Sequence, residues 1–391
     1  MKFYILLPLF IISFALNAQT KNEYKEADEK MVQFLKSFDD NKIDNIVAYI
    51  NTNFFKETDK LRATYVWITN SFEYDIENMF AMKSYSDPQE IIDEMLKNKK
   101  GVCMHFAYLF NETGNQLGIK TYVIPGYTKQ QGFVDDISHV WCASLLDSVW
   151  FLIDPTWGTG YILNHKFVKE QNDYYFKTAP EDLIRSHIPF DPLWQFLYYP
   201  ISSQEFYDGH TIINKEKPIF NFIDTLKIYE NSTRIEQLTS SNRRIEQNGV
   251  KNTLTINQLN NNAIEIEYYS NQIVVDNYNS AVYLYNEGIN HLNKFIIYRN
   301  NQFTPEKTEI EIRNMIHSAE SSFISSRNEL QNIVATEKST IASINQLKIS
   351  INEAFTQVSE QKDFINKYFG TKKIFRKSLF YKYYWMGIPL N

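Results

Sequence analysis

Cys103, His139 and Asp154 have the residue types, and the order along the chain, that covalent amide chemistry needs. Cys103 follows Gly101-Val102 and opens the apolar run Met104 to Leu117. A thiol at a helix N-terminus meets unpaired backbone N–H groups and the positive end of the helix dipole, which favour its thiolate. Gly101 removes side-chain bulk where a substrate backbone would approach. The plain alternative, a buried structural cysteine, is the commoner fate of a lone Cys. His139 stands in Ser138-His139-Val140-Trp141-Cys142-Ala143-Ser144. In a strand, His139, Trp141 and Ala143 share one face, while Val140, Cys142 and Ser144 share the other. Cys142 therefore points away from His139 and reads as a small core residue rather than a disulfide partner of Cys103. Asp154 ends the apolar run Trp150-Phe151-Leu152-Ile153 and precedes Pro155-Thr156-Trp157-Gly158. A carboxylate there can fix the imidazole tautomer and stabilise an imidazolium beside a thiolate. A turn-forming Asp before Pro is the competing account. Taken together, the three match the logic of nucleophile, base and orienter.

Such a trio needs a helix to carry the sulfur and adjacent strands to carry the other two. Met31, Phe34, Leu35 and Phe38 give helical spacing within residues 22–38, as do Tyr65, Ile68 and Phe72 within 61–72. Ser86-Asp87-Pro88 is a helix start, with Asp87 as cap, ahead of a helix over 89–97. The helix carrying Cys103 is expected over 102–117, closed by Gly118. Lys120 to Tyr127, Ile137 to Leu146 and Val149 to Ile153 are rich in β-branched and aromatic residues, which marks strands. Leu146-Asp147-Ser148 is a tight connection between two of them. A helix followed by antiparallel strands is an α+β arrangement.

Gly101-Val102-Cys103, Ser138-His139-Val140-Trp141 and Leu152-Ile153-Asp154-Pro155-Thr156-Trp157-Gly158 resemble the three signature blocks of the transglutaminase-like superfamily. Tyr65 to Asp75 is similar to its helix entering the core, and Gly126-Tyr127-Thr128-Lys129 to its strand end before the histidine. Tyr174 to Pro200, with His187-Ile188-Pro189 and Pro192-Leu193-Trp194-Gln195, resembles the tail block of the kyphoscoliosis-peptidase branch. The resemblance covers residues 60–207. It implies a transglutaminase/papain-like cysteine-triad core, with Cys103 as nucleophile, His139 as base and then acid, and Asp154 as orienter. Members of the family hydrolyse amide bonds or pass the acyl group to an amine through one shared thioester. The backbone N–H of Cys103 would bind the oxyanion, with Tyr74 and Trp67 as candidate side-chain donors. His105 departs from the family pattern, two residues after the nucleophile. Positions i and i+2 face different ways on a helix, so His105 is expected at the cleft edge or in solvent.

Past residue 210 the composition turns to Asn, Gln, Ser, Glu and Ile. Sixteen positions from Ile316 to Tyr368 alternate three and four apart, twelve of them apolar, which predicts one long helix with a narrow buried seam. Val282, Tyr285, Ile289, Leu292 and Ile296 form a second seam. The turn between them is expected at 299–305, with Thr304 as cap, and a further helix over 217–247. The expectation is an antiparallel helical bundle or coiled coil, self-association through the seam being the rival use of the same residues.

Lys2, the apolar stretch Phe3 to Leu16 and Ala18 have the layout of a secretory signal. The expected domains are thus a signal peptide over 1–18, an N-terminal helical segment over 19–59, a transglutaminase-like domain over 60–207 and a helical bundle over 208–391. Net charge is −6, or −7 once Lys2 is removed, which gives no electrostatic footprint for nucleic acid. No cofactor is implied, and no metal, because His105, His139 and Asp154 lack zinc-ligand spacing. The basic-aromatic tail 372–391 is favoured to pack on its own protein over touching a membrane. The function expected is an exported enzyme, periplasmic or secreted, acting on protein or peptide amide bonds. The alternative is an inactive transglutaminase-fold scaffold whose helical half recruits partners.

Overall fold

Met31, Ile46, Ile50, Leu61, Trp67 and Phe110 meet in one buried cluster, drawn from helices that precede the sheet as well as from the helix that carries Cys103. The computed structural model describes residues 23–389 except 39–41, 82, 84, 86, 332, 382–383 and 386–387. The expected signal peptide and the Ser86 start residue lie outside the described residues. Two compact units divide the chain, Met1–Asn262 and Ala263–Asn391.

In the first unit, α1 (Lys25–Ser37), α2 (Ile43–Asn53) and α3 (Glu57–Ser71) come first. Helix α2 falls within the helical segment expected over 19–59, though the spacing read there marks only the stretch over 22–38. Ile43, Ile46 and Ile50 form its buried stripe, disguised by Asn and β-branched neighbours of middling helix propensity. Helix α3 is buried from Leu61 through Thr69, so its apolar pattern has no polar face to contrast with. Arg62 within it is fully buried; it donates to both carboxylate oxygens of Asp28 (2.6 and 2.7 Å) and to Asp173 (2.6 Å). Helices α1 and α2 bury Met31, Ile46 and Ile50 in the same core as Leu61 and Trp67 of α3, so they form no separate layer.

Strand β1 (Glu73–Tyr74) pairs in parallel with β2 (Lys100–Gly101), Tyr74 opposite Gly101, and α4 (Pro88–Asn98) lies between them in sequence. Asp87 caps α4, its carboxylate accepting the Gln89 N–H at 2.8 Å. Helix α5 (Cys103–Gln116) ends at Gly118, whose φ of 81° suits glycine. Strands β3 (Thr121–Gln130), β4 (Phe133–Leu146) and β5 (Val149–Ile153) follow, Asp147 and Ser148 turning the last hairpin at φ 50° and 67°. The hairpin β6 (Gly160–Leu163) and β7 (Lys166–Lys169), the short α6 (Pro180–Leu183) and β8 (His187–Pro189) complete the site. The main sheet runs β5-β4-β3-β8, antiparallel throughout. The fold is α+β, as the sequence pattern predicts.

After α7 (Ser203–Asp208) the unit does not stop at 207. Helices α8 (Phe222–Asn231) and α9 (Arg234–Asn248) replace the single helix expected over 217–247. Thr233 opens α9 by a reciprocal capping box with Glu236. Phe222 and Leu226 bury beside Trp194 and Phe196, and Ile245 beside Tyr127 and Phe206. The polar composition past 210 hid these few apolar anchors.

The second unit holds α10 (Thr253–Asn300) from Ala263 onward, α11 (Glu309–Gln331) and α12 (Lys338–Gly370). The expected continuous helix over 316–368 is two, broken at 333–337, with an extended Glu337 immediately before α12. The break lets seam fold against seam. Ile316, Phe323 and Leu330 share one cluster with Ile344, Ile351 and Ile365, and Lys362 pairs with Glu320, so α11 and α12 run antiparallel. Two seam residues that are not apolar have polar partners. Ser326 donates to the Ala281 carbonyl at 2.7 Å, and Gln361 accepts from Arg299 at 2.6 Å. The seam is thereby spent inside the chain. The start of α11 is capped by Thr308 with Glu311 rather than by Thr304. Among the described residues no helix is long and apolar enough to cross a membrane.

Candidate active site

Cys103 is the first residue of α5, half-buried, directly after a Val102 in extended conformation. The first N–H groups of a helix have no intrahelical partner, so the amides of Cys103 and Met104 point their dipoles toward the sulfur side of the helix mouth. The amide before them is taken: the N–H of Val102 donates to Nδ1 of His105 at 3.2 Å. His105 is buried rather than at the cleft edge or in solvent. Its Nε2 meets the Tyr85 hydroxyl at 3.1 Å, and Tyr85 donates on to Glu94, which pairs with Lys83. Burial holds the His105 pKa below its ordinary value, so it is a neutral cap of the nucleophile helix. This also corrects the reading of Gly101. A Cβ there would come within 2.6 Å of His105 Cβ and 2.8 Å of Met95 Sδ, so glycine is required by that packing.

His139 lies on β4 opposite Gly126, with Trp141 on the same face. Its ring stacks near Trp141 (6.1 Å between centroids) and tilts against Trp157 (5.6 Å). Asp154 leaves the end of β5 fully buried, and its Oδ2 lies 2.7 Å from Nε2 of His139. Nε2 is thus engaged, and the Cys103 sulfur lies close enough to the same ring to raise its hold on a proton. Burial works against a charged His139. The Asp154 carboxylate and then Cys103 outweigh it and raise the imidazole to about 10. The structure brings all three residues together at the mouth of α5.

Asp154 has more partners than a triad supplies. Its Oδ1 accepts the N–H groups of Thr156 (2.8 Å) and Trp157 (3.0 Å), and its Oδ2 meets Nε2 of His187 at 3.1 Å. Burial alone would raise this carboxyl. His139 by charge and hydrogen bond, then His187, hold it well below the usual carboxylate range. His187 opens β8 and was quoted in the sequence only as part of a tail block. It stands opposite Thr128, two residues before the Pro189 that faces Gly126, a register that only the folded sheet reveals.

The donor atoms of His139, Asp154 and His187 lie within 4.8 Å of one another, a grouping able to ligate a metal. Both Nε2 atoms are committed to Asp154 Oδ2, so an ion would have to displace both bonds. Cys142 is buried on the opposite face of β4, its thiol donating to the Ala107 carbonyl at 3.2 Å, and neither cysteine is in a disulfide. Burial pushes the Cys142 thiol up, which leaves it inert.

Of the two candidate oxyanion donors, Trp67 is a core residue, fully buried edge-on to Phe72. Tyr74 is half-buried beside Cys103. Burial first, then the charges at Cys103 and Asp154, push its phenol far above its ordinary value, so it remains an O–H donor.

Residues 44–155 match the model of the transglutaminase-like superfamily, and that stretch is a domain of this kind. Kyphoscoliosis peptidase of Homo sapiens is 31% identical over 173 residues, covering 42% of this chain and 26% of that protein. Cytokinesis protein 3 of Saccharomyces cerevisiae is 24% identical over 195 residues, covering 45% of this chain and 22% of that protein. The match spans about a quarter of the length of these relatives. A crystal structure of a TGase aligns over 41% of this chain and 37% of its own, at 21% identity and a TM-score of 0.26.

Proposed function

We propose that this chain, whose residues 44–155 form a transglutaminase-like domain, is a cysteine enzyme of protein or peptide amide bonds. The observation that carries the reading is the continuous line from a half-buried sulfur at a helix mouth, through His139, to a buried and four-times hydrogen-bonded Asp154. The Cys103 sulfur, its proton held on His139, attacks the substrate carbonyl carbon. The oxyanion takes hydrogen bonds from the Cys103 N–H and from Tyr74. His139 then gives its proton to the departing amine as the C–N bond breaks, leaving a thioester on Cys103. Water or a second amine, deprotonated by His139, resolves the thioester and returns the thiol. Asp154 keeps the imidazole in one tautomer throughout. The apolar run behind Lys2 supports the enzyme acting outside the cytoplasm, after removal of residues 1–18.

Thiol labelling of the full chain tests this directly. Iodoacetamide at pH 6 is expected to modify Cys103 stoichiometrically and to spare Cys142, with His139→Ala abolishing the reaction, read by mass spectrometry of tryptic peptides. Labelling that begins only near pH ~8.5, and is indifferent to His139, would leave a binding module in place of an enzyme.

Tyr74→Phe is expected to lower kcat by about 10²-fold, the usual scale for one oxyanion donor, while leaving Cys103 labelling unchanged. Amide turnover at saturating substrate reads the first, and the same alkylation assay the second. Equal kcat in both proteins removes Tyr74 from the chemistry.

A further inference from the structure

His187 has no part in the sequence of bonds just described, yet it is buried against the centre of the site. Its ring packs edge-on to Trp157 (4.5 Å between centroids) and Trp141 (5.2 Å) and lies 5.6 Å from the His139 ring. Three aromatic or imidazole walls leave it one polar exit on each nitrogen. Nε2 meets Asp154 Oδ2 at 3.1 Å, and Nδ1 meets the Ser186 hydroxyl at 2.8 Å. Gly126 is what admits it. A Cβ at that position would come within 2.3 Å of the Ile188 carbonyl and 2.4 Å of Trp141 Cη2, so β8 and the Trp141 ring approach only because glycine stands between them.

We infer that His187 is a positioning residue that shares the Asp154 carboxylate with His139 and so limits how tightly that carboxylate holds the His139 proton. The inference rests on the enzyme reading above and deepens it. One carboxylate oxygen serves two imidazole N–H groups, and charge density drawn toward one donor is withdrawn from the other. His187 stays neutral, because burial opposes its charge more than Asp154 favours it. As a neutral donor it bonds only through Nε2–H, with Nδ1 accepting from Ser186. The titratable groups around this pair and its shared Asp154 are Asp135 on β4, Cys103, Tyr74 on β1, Tyr65 on α3, Tyr175 and Cys142. Only Asp154 is within hydrogen-bond distance of both rings among the described residues. Orientation of the carboxylate does not depend on His187, since Oδ1 is fixed by two backbone amides. Losing the His187 donor therefore acts on proton affinity.

The direction follows. With Oδ2 given to His139 alone, the imidazolium is better stabilised and the Cys103–His139 ion pair forms at lower pH. In the full chain, the acid limb of the alkylation rate of Cys103 is expected to move down by about half a pH unit or more in His187→Leu. His187→Gln, whose amide N–H reaches the same oxygen, is expected to restore the wild-type limb. An unshifted limb in His187→Leu, or an equal shift in both variants, overturns the inference. Should either variant fail to fold, imidazole nitrogen NMR of the unsubstituted protein decides it. His187 is expected as the neutral Nε2–H tautomer at pH 7, and an imidazolium or an Nδ1–H tautomer there is fatal to it. Failure of the enzyme reading shows separately, as alkylation of the unsubstituted protein that ignores His139→Ala.

Discussion

Asp154→Asn is expected to cost about 3–5 kcal/mol of folding stability and about 10³–10⁴-fold in kcat, because it leaves buried partners without a charge to face. The Asn carbonyl can replace Oδ1 at the Thr156 and Trp157 amides. Its NH₂ group then points at Nε2 of both His139 and His187, donor against donor, where the native Oδ2 accepts at 2.7 and 3.1 Å. His139 must flip or lose its proton, and either change removes the imidazolium beside Cys103. The pH dependence separates this from a simple packing defect. His139 has a folded pKa of about 10, above its ordinary 6.5. Its contribution is therefore complete below about pH 6.5 and is lost as pH rises through about 10. The Asp154 carboxyl is depressed on folding, so its contribution is present above about pH 4 and is lost as pH falls. Both partners are charged between those limits. Urea unfolding of the two proteins at pH 2, 5.5 and 10.5 should therefore give the largest difference at pH 5.5. A difference below about 1 kcal/mol, equal at all three values, would falsify the ion-pair account.

Why Cys103, His139 and Asp154 were legible in the sequence, while His187 and His105 were not, has a physical basis. The first three sit at element boundaries or in a strand, where local pattern fixes orientation: a cysteine after Gly-Val, a histidine alternating with Trp141, an aspartate closing an apolar run. Strand β5 was read to the residue, because Val149 to Ile153 is bounded by turn residues on both sides. His187 meets Asp154 only because β8 adds to the sheet on the far side of β3, a pairing between segments some sixty residues apart. Nothing in the residues around 187 encodes that register. His105 was placed by helical geometry alone, which correctly turns it away from Cys103. Geometry said nothing of Tyr85 and Met95, which enclose it. The heptad failed in the opposite way. Its period persists across 333–337, where the successive polar seam positions Glu337 and Thr340 are the one mark of the break, and the same seam serves two antiparallel helices as well as one long one.

The boundary near 207 is the error with the largest consequence, and it yields the second strong expectation. A chain of residues 19–207 is expected not to fold, whereas residues 19–262 are expected to fold cooperatively. Asp191 is only 4% exposed and accepts both prongs of the Arg244 guanidinium, at 2.7 and 2.6 Å. Cutting at 207 removes Arg244 and with it both charged hydrogen bonds to Asp191, at about 1.5–3 kcal/mol each. It also uncovers Trp194, Phe196, Tyr127 and Phe206, which Phe222, Leu226 and Ile245 cover, at roughly 1.5–3 kcal/mol for each large side chain exposed. The sum matches or exceeds the whole stability of an ordinary domain, about 5–15 kcal/mol. Arg244→Met within residues 19–262 isolates the electrostatic part. It is expected to lose about 3–5 kcal/mol, and a second change, Asp191→Leu, to recover part of it, since two apolar groups need no ion-pair partner while the Leu193 N–H that Asp191 accepts at 3.0 Å loses its acceptor. Thermal melts followed by near-ultraviolet circular dichroism measure all four proteins. If residues 19–207 melted cooperatively within a few degrees of residues 19–262, helices α8 and α9 would be an appendage, and the pair Asp191–Arg244 a surface contact in effect.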